Sequence, residues 1–248
     1  PTVLTIHNIA SHERSLLFPA ATRLLGRLAN RCIVHCELNR QQAHEALKLP
    51  LEKIHTTGMG LLAAGRNRPA DPAAARRKLG LPPEAPVILC FGAIRPYKGI
   101  GTLIEAFASV AERLPEARLV IAGKPWRRWQ PEQKRIDRLH LNGRVSCFLD
   151  YVPITDVQDF FDAADVCVFP YTRFTAQSAA AMTALAFEKP LIVSEVGGLP
   201  ELVRDRRYIV PPGDAAALAD ALLPALSDPD ERRRMRHASA QVAREHVW

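Results

Sequence analysis

The stretch "VILCFGAIRPYKGIGTLIEAF", residues 87–107, is the clearest indication of the fold. It opens with an apolar run that is typical of a buried strand and continues through a short turn that carries Arg95 and Lys98. It ends in a segment whose apolar residues recur at the 3.6-residue spacing of a helix. The pattern therefore predicts a strand over 87–92 and a helix over about 100–113.

The same alternation of strand and helix continues toward the end of the chain. Strand-like apolar runs recur at residues 118–123, 144–149, 166–171, 191–195 and 208–212. Helix-like segments lie at 154–164, 177–187 and 199–203, and a last helix begins at Asp228 or Asp230. Continuous apolar strands indicate that helices cover both sheet faces. The sequence therefore predicts a doubly wound, Rossmann-like parallel sheet, which binds ligands beyond the carboxyl ends of its strands.

The beginning of the chain predicts a second, incomplete unit. Strand-like runs occur at residues 2–7 and 31–36, and 53–60 reads as a last strand that leads out. A segment rich in Ala, Pro and Arg follows at 63–86 and is typical of a linker with one short helix. We expect residues 1–66 to be the end of a truncated Rossmann-like domain with its linker, and residues 67–248 to be a complete domain.

The composition indicates an ordinary globular protein with a basic surface. The 248 residues carry a net charge of +7, which favours an anionic partner, although a solvated arginine-rich surface explains the same number. The chain has no run of about 18 apolar residues that would predict a membrane span. Five cysteines, an odd number that lies mostly in strand-like runs, predict reduced core thiols and a cytoplasmic location.

Two patterns resemble metal sites but have simpler explanations. In "CIVHC", Cys32 and Cys36 share one face of a strand while His35 points to the other face, which argues against zinc. In "DPD", residues 228–230, Asp and Pro stand where a helix begins and are ordinary capping residues. We therefore expect no bound metal.

The turn with two cations predicts an anion site. Arg95 and Lys98 precede the predicted helix, and the amides at a helix N-terminus attract negative charge. This arrangement suits a diphosphate. Gly92, Gly99 and Gly101 do not have the G-x-G-x-x-G spacing of a dinucleotide loop. The alternative is a basic turn that faces solvent.

A second candidate segment lies at residues 170–203, where a strand ends and a polar loop leads into an Ala-rich helix. Thr175, Gln177 and Ser178 supply hydroxyl and amide groups for sugar hydroxyls or phosphate. The small residues of the helix let a ligand approach its N-terminus, and the "VGG" turn at 196–198 adds amides that could face the same site. Alternatively, Gln177 and Ser178 are helix caps.

Together these segments resemble the family 4 glycosyltransferases, which have the GT-B fold of two Rossmann-like domains facing each other across a cleft. The segments "FGAIRPYKG", "RLVIAG", "YVPITDVQDFFDAADVCVFPY", "EKPLIVSEVGGLPELV" and "YIVPPGD" carry the resemblance in this order. The resemblance implies that Lys98 binds the donor diphosphate. The arginine that usually follows the glycine is Ala93 here, so Arg95 is the expected substitute.

The resemblance also implies roles for other positions and shows one departure. The nucleotide base would be held by the loop of Tyr151, Val152 and Pro153. His7 matches a histidine that faces the donor sugar, and it is the candidate catalytic residue. Two glutamates that are usual in the family are replaced, with Thr175 at the sugar-binding position and Thr183 at the ribose-binding position. Residues 11–14, "SHER", would contribute acceptor contacts.

The sequence therefore predicts a glycosyltransferase that moves a sugar from a nucleoside diphosphate sugar to a glycan or lipid-linked acceptor, with no cofactor besides the donor. The family expectation is retention at the anomeric carbon, and the replaced glutamates leave inversion open. The alternatives are a non-catalytic module that binds a nucleotide sugar or anionic polymer, and a sugar-nucleotide epimerase on the same fold.

The segment at residues 124–135 predicts a further contact surface. Trp126, Arg127, Arg128 and Trp129 suit an anionic membrane surface or an anionic acceptor. The alternative is that the tryptophans cover an edge of the core. We expect a cytoplasmic protein, peripheral to the inner face of a membrane, and no nucleic-acid partner.

Overall fold

The computed structural model describes residues 1–7, 17–61 and 66–246. Residues 11–14, which the sequence analysis connects with acceptor contacts, lie outside the described residues. Within the described part, no helix is long and apolar enough to cross a membrane.

The larger of two sheets has six parallel strands in the order β6-β5-β4-β7-β8-β9. Its strands are β4 (Val87–Phe91), β5 (Arg118–Ala122), β6 (Val145–Phe148), β7 (Val166–Phe169), β8 (Leu191–Ser194) and β9 (Ile209–Val210). The chain moves outward from β4 to β6 and then returns to place β7 beside β4. The predicted doubly wound parallel sheet is confirmed, and its switch point lies between β4 and β7.

Helices cover both faces of this sheet, as the continuous apolar strands predict. The helices of this part of the chain are α3 (Pro72–Lys78), α4 (Ile100–Arg113), α5 (Gln130–Arg138), α6 (Val157–Ala163), α7 (Ala179–Ala186), α8 (Ala215–Ser227) and α9 (Pro229–Glu245). Alternate residues of β4 enter different cores, with Ile88 in the core under α4, α5 and α8. Leu89 enters the core under α3, α6 and α7. The sequence analysis did not predict α5 and α8.

The smaller sheet has three parallel strands in chain order, β1 (Val3–Thr5), β2 (Arg31–Val34) and β3 (Ile54–Thr56). Between them lie α1 (Leu17–Leu28) and α2 (Glu37–Leu47). A small core forms around fully buried residues such as Cys32, Val34 and Leu47. His35 follows β2 directly and His7 lies two residues after β1, so both lie at the carboxyl edge of this sheet.

The segment after the smaller sheet docks on α6 of the larger one. The side-chain oxygen of Gln158 accepts the amide of Asn67 at 3.1 Å, and Arg68 pairs with the buried carboxylate of Asp159. Lys78 donates to the same carboxylate at 2.6 Å. Burial alone would raise the pKa of Asp159, but the hydrogen bonds from Lys78 and Arg68 hold it below its ordinary value. These ion pairs fix the predicted linker helix α3 to the larger sheet.

The capping explanation for "DPD" is confirmed, whereas the strand-face explanation for "CIVHC" holds for Cys32 and not for Cys36, which is the N-cap of α2. The Asp228 carboxylate accepts the amides of Asp230 and Glu231 at 2.8 and 3.2 Å, so it caps α9. Cys32 and Cys36 are buried free thiols, and His35 faces away from them toward His7. Among the described residues, no three metal-binding side chains come together.

Candidate active site between the two sheets

A cleft of about 500 Å³ opens between the carboxyl edges of the two sheets. The loop after β4, the loop after β7 and the first turn of α7 form one wall, while His7 and His35 form the other. Six residues predicted for the site line this cleft together: His7, Arg95, Lys98, Gln177, Ser178 and Thr183. The cleft lies at the switch point of the larger sheet, where a doubly wound fold places ligands.

Lys98 is the most unusual side chain of the cleft because its charge is buried. Its side chain is 7% exposed, and its ammonium nitrogen lies 5.2 Å from the ring centre of Tyr171. Within the described residues, no hydrogen bond or ion pair reaches this ammonium group. Burial lowers the pKa of Lys98, and the nearby positive charge of Arg95 lowers it further. A buried cation without a counter-ion is unfavourable, so the site favours an anionic ligand.

The loop after β4 is built to bring Lys98 into the cleft. A Cβ atom on Gly92 would lie 3.1 Å from the Lys98 ammonium nitrogen and 3.2 Å from the Cβ of Ala180. Gly99 adopts φ +67°, and a Cβ there would lie 1.9 Å from the carbonyl oxygen of Pro170. The two glycines therefore let the loop pack tightly against the segment after β7.

The first turn of α7 forms the floor of the cleft beside Lys98. Ser178 is the N-cap, because its hydroxyl oxygen accepts the amide of Ala181 at 3.3 Å, and it also hydrogen-bonds the hydroxyl of Tyr171 at 3.0 Å. The side-chain oxygen of Gln177 accepts the Ser178 amide at 3.1 Å. Ser178 thus has the capping role that the sequence left as an alternative for both residues, and Gln177 holds the amide of the capping residue. The buried amide nitrogen of Gln177 remains without a partner among the described residues.

The structure corrects the sequence prediction about which helix faces the cations. The sequence analysis places Arg95 and Lys98 together at the start of α4. In the structure Lys98 turns toward α7, whereas the first turn of α4, around Gly101, opens into a different cavity. Arg95 lies between the two, lines both cavities and stacks on Trp126 with its guanidinium carbon 4.4 Å from the ring centre. The amides of Val196 and Gly198 in the "VGG" turn, which were expected to face the cleft, instead donate to the carbonyls of Ser194 and Ala176 at 2.8 and 3.1 Å.

A pair of histidines forms the opposite wall, and the sequence analysis identified only one of them. His35 Nδ1 lies 3.1 Å from the carbonyl oxygen of Thr57, and His35 Nε2 lies 3.1 Å from His7 Nδ1. A carbonyl can only accept, so Nδ1 of His35 carries a proton. When His35 is neutral, its Nε2 accepts a hydrogen bond from the N–H group at Nδ1 of His7, which leaves Nε2 of His7 as an acceptor. The histidine pair therefore sets the tautomer of His7.

The two walls of the cleft touch through α2. The backbone amide of Glu37, at the start of α2, donates to the carboxylate of Glu201 at 3.1 Å. The side-chain amide of Asn39 donates to the backbone carbonyl of Thr175. Burial raises the pKa of Glu201, while the hydrogen bond from the Glu37 amide acts in the opposite direction. Thr175, predicted to bind the sugar, therefore contributes its carbonyl to the contact between the walls and does not line the cleft.

Other predicted positions lie at the edge of the site or outside it. Tyr151 is 75% exposed, Pro153 is exposed, and Val152 packs against the core under α6, so none of the three lines the cleft. Thr183 lines it, although its hydroxyl donates to the carbonyl of Ala179 within α7 at 3.0 Å. The described lining contains no carboxylate.

The tryptophan and arginine segment is divided between surface and core. Trp126 is 63% exposed, and Arg127 and Arg128 are exposed. Trp129 instead packs against the core beside α4, and its indole donates to the Gln133 side chain at 3.3 Å. Trp129 therefore has the core-covering role that the sequence left as an alternative, and Trp126 is the exposed tryptophan.

These features define a doubly wound α/β protein whose ligand cleft lies at the switch point, against a second parallel sheet, and presents a buried cation and a helix N-terminus. The chain belongs to the family described as glycosyl transferases group 1, whose model matches residues 71–242. The resemblance found in the sequence is thereby confirmed.

Individual relatives agree with this assignment. A D-inositol 3-phosphate glycosyltransferase of Streptomyces bingchenggensis is 30% identical over 264 residues, which cover 100% of this chain and 57% of the relative. The structure of HepE from Anabaena in complex with UDP and glucose matches with a TM-score of 0.84 at 22% identity, over 100% of this chain and 67% of HepE. The C-terminal domain of a group 1 glycosyl transferase from Francisella tularensis matches with a TM-score of 0.65 at 20% identity, over 75% of this chain and 97% of that domain.

Proposed function

We propose that this chain carries the donor site of a glycosyltransferase that uses a nucleoside diphosphate sugar. The observation that carries the proposal is the buried ammonium group of Lys98, which has no anionic partner among the described residues and lies in the cleft at the switch point. The unpaired amide of Gln177 lies in the same cleft. A diphosphate would satisfy both groups, and the UDP complex of the structurally similar HepE supports this ligand class.

In the proposed reaction, the acceptor oxygen forms a bond to the anomeric carbon while the bond between that carbon and the diphosphate oxygen breaks. The electron pair of the broken bond stays on the diphosphate, and Lys98 together with the first amides of α7 stabilises the added charge. The proton of the acceptor hydroxyl passes to the departing diphosphate oxygen as the new bond forms, so the products are the glycoside and the protonated nucleoside diphosphate. His7 accepts a hydrogen bond from the bound sugar at its Nε2, the tautomer that His35 imposes.

We further propose that the acceptor is a glycan or a lipid-linked sugar and that the reaction proceeds without a bound metal. The cations of the cleft provide the charge neutralisation that a divalent ion would otherwise supply. Exposed Trp126, Arg127 and Arg128 would hold the protein at an anionic membrane surface on the cytoplasmic side. Addition of a chelator should leave the transfer rate unchanged, whereas loss of transfer would contradict the metal-independent mechanism.

The experiment that tests the function combines binding with turnover. In a thermal-shift assay with a panel of nucleoside diphosphate sugars, at least one donor should raise the melting temperature of the unmodified chain. The same donor should not raise the melting temperature of Lys98→Met. With that donor, release of the nucleoside diphosphate that depends on an added glycan or lipid-linked acceptor supports a transferase. Binding without release under any acceptor would indicate the non-catalytic module, and a changed sugar on an intact donor would indicate an epimerase.

A further inference from the structure

A second cavity lies on the other side of the Arg95 loop and is not part of the proposed donor site. It has a volume of about 790 Å³ and is bounded by the first turn of α4, the segment before α5 and the start of α5 itself. Arg95 is shared with the cleft, whereas Lys98, His7 and Gln177 do not line this cavity. A ligand could therefore occupy it while the cleft is filled.

Positive charge is concentrated around this cavity. Four arginines line it: Arg95, Arg127, Arg128 and Arg135. Arg135 is neutralised by Glu105, with its Nε 3.0 Å from the carboxylate, and Glu132 is the other carboxylate of the lining. Within the described residues, Arg127 and Arg128 have no ion pair and no side-chain hydrogen bond, and Arg95 is held by stacking on Trp126. Three guanidinium groups without carboxylate partners repel one another, and a bound anion relieves that repulsion.

The cavity wall at Arg135 requires a glycine at position 101. A Cβ atom on Gly101 would lie 2.5 Å from an Nη atom of Arg135, so this glycine makes room for the guanidinium against the first turn of α4. α4 begins at Ile100 with Gly99 as its N-cap, and no side chain among the described residues accepts a hydrogen bond from its first amides. The arginines and these amides together favour a phosphate group, for which guanidinium geometry is well matched.

Beside Thr102 and Thr172, much of the remaining lining is apolar, and it indicates which chemical group would carry the phosphate. Ile94, Ile100, Pro125, Trp129 and Pro131 contribute hydrocarbon and aromatic surface to the walls. A free inorganic ion would leave these walls in contact with water. From the charge and the shape, we propose that this cavity is a second binding site, for a phosphate ester whose body is apolar or planar. The proposal does not depend on the function assigned to the cleft.

The test is calorimetry of the full chain with phenyl phosphate, and with phenol as its uncharged match. The double variant Arg127→Ala/Arg128→Ala removes the unpaired guanidinium groups. The matched control is Arg113→Ala/Arg138→Ala, which removes two exposed charges that do not line the cavity. Lys98→Met serves as the variant that alters the cleft alone. Melting curves confirm that all variants fold.

We expect the cavity variant to weaken phenyl phosphate binding at least tenfold, with little change in the control variant and in Lys98→Met, and no binding of phenol. An equal loss in the control variant would show unspecific charge attraction, and a loss in Lys98→Met alone would place the ligand in the cleft. Either result, or no binding to the unmodified chain, overturns the proposal.

A parallel arm distinguishes the source of the phosphate. Vesicles of phosphatidylcholine with phosphatidic acid are sedimented with each variant, and vesicles of phosphatidylcholine alone are the control. Loss of sedimentation in Arg127→Ala/Arg128→Ala but not in Arg113→Ala/Arg138→Ala, together with release of the unmodified chain from the vesicles by added phenyl phosphate, identifies a lipid headgroup as the ligand. Binding of phenyl phosphate without binding to vesicles identifies a soluble ester.

Discussion

Replacement of Lys98 by methionine tests the charge in the cleft with little change in volume. The side chain is 7% exposed, and methionine keeps its apolar stem while removing the ammonium group. A hydrogen bond between a charged group and its partner contributes about 1.5–3 kcal/mol. Since about 1.4 kcal/mol corresponds to a factor of ten, we expect the dissociation constant of UDP to rise about 10- to 150-fold. Binding of uridine, which lacks the diphosphate, should not change.

The same substitution should make the unliganded protein more stable. Burial lowers the pKa of Lys98 below the ordinary 10.5, so between the lowered pKa and 10.5 the unfolded chain binds a proton that the folded protein does not. The stability of the unmodified protein therefore rises with pH in that window, and the cost of the buried charge is fully present below it. Lys98→Met avoids this cost. Its melting temperature should exceed that of the unmodified protein at neutral pH, and the difference should shrink as the pH approaches 10.5.

The assay combines calorimetry with UDP and uridine and thermal melts at several pH values. Lys134→Met, which removes an exposed lysine outside the cleft, is the matched control and should change neither quantity. Equal losses of UDP and uridine binding would mean that Lys98 supports the fold of the site and not the diphosphate. A lower melting temperature in Lys98→Met would refute the inference that burial of the charge destabilises the folded protein.

Three further substitutions test separate parts of the site. Gln177→Glu places a negative charge where the unpaired amide lies and should weaken UDP binding at least tenfold by calorimetry, whereas exposed Gln241→Glu should not. His35→Phe removes the group that sets the His7 tautomer, so transfer should slow about 10- to 100-fold while UDP affinity stays the same; a parallel loss of affinity would contradict a positioning role. Gly99→Ala should lower the melting temperature by at least about 4 °C, since each ~1 kcal/mol corresponds to roughly 2–4 °C in a chain of this size. Gly143 also has a positive φ but has open space around it, so Gly143→Ala should lower the melting temperature clearly less than Gly99→Ala. Equal decreases would show that backbone strain explains the effect and that the contact with Pro170 does not.

The strands of the larger sheet could be predicted because each is a short apolar run bounded by turns. The two helices that were missed lack that kind of signal. In α5 one residue, Ile136, is buried and most of the others are charged or polar, so there is no apolar periodicity to detect. In α8 apolar residues occur nearly all round the helix, and Pro224 inside it argues against a continuous helix.

The error about the cations has a topological cause. A strand, a turn and a helix can be recognised along the chain, but the direction in which a side chain of the turn points depends on what lies beside it. Here the segment after β7 returns next to β4, and Tyr171 and α7 provide the environment of Lys98. The motif therefore identifies Lys98 correctly as a residue of the cleft, yet pairs it with the wrong helix.

The histidine pair shows a second limit of sequence reasoning. Alternation along β2, continued by one residue beyond Val34, correctly places His35 on the face opposite Cys32, whereas Cys36 lies outside the strand as the N-cap of α2. What His35 meets depends on the register between β1 and β2, in which Thr5 lies beside Ile33. That register, continued by two residues, brings His7 next to His35. A pattern within one strand contains no information about the register of its neighbour, so the partner of His7 could not be found from the sequence.

The central claim is that the diphosphate of a nucleotide binds in the cleft between the sheets, at Lys98 and the first turn of α7. A crystal structure of this chain with UDP tests it most directly. We expect the diphosphate oxygens within hydrogen-bond distance of the Lys98 ammonium group and of the Gln177 side-chain amide. The backbone amides of Ala179 or Ala180 should face the same oxygens. A diphosphate bound instead among Arg127, Arg128 and the first turn of α4, with Lys98 still unpaired, would contradict it.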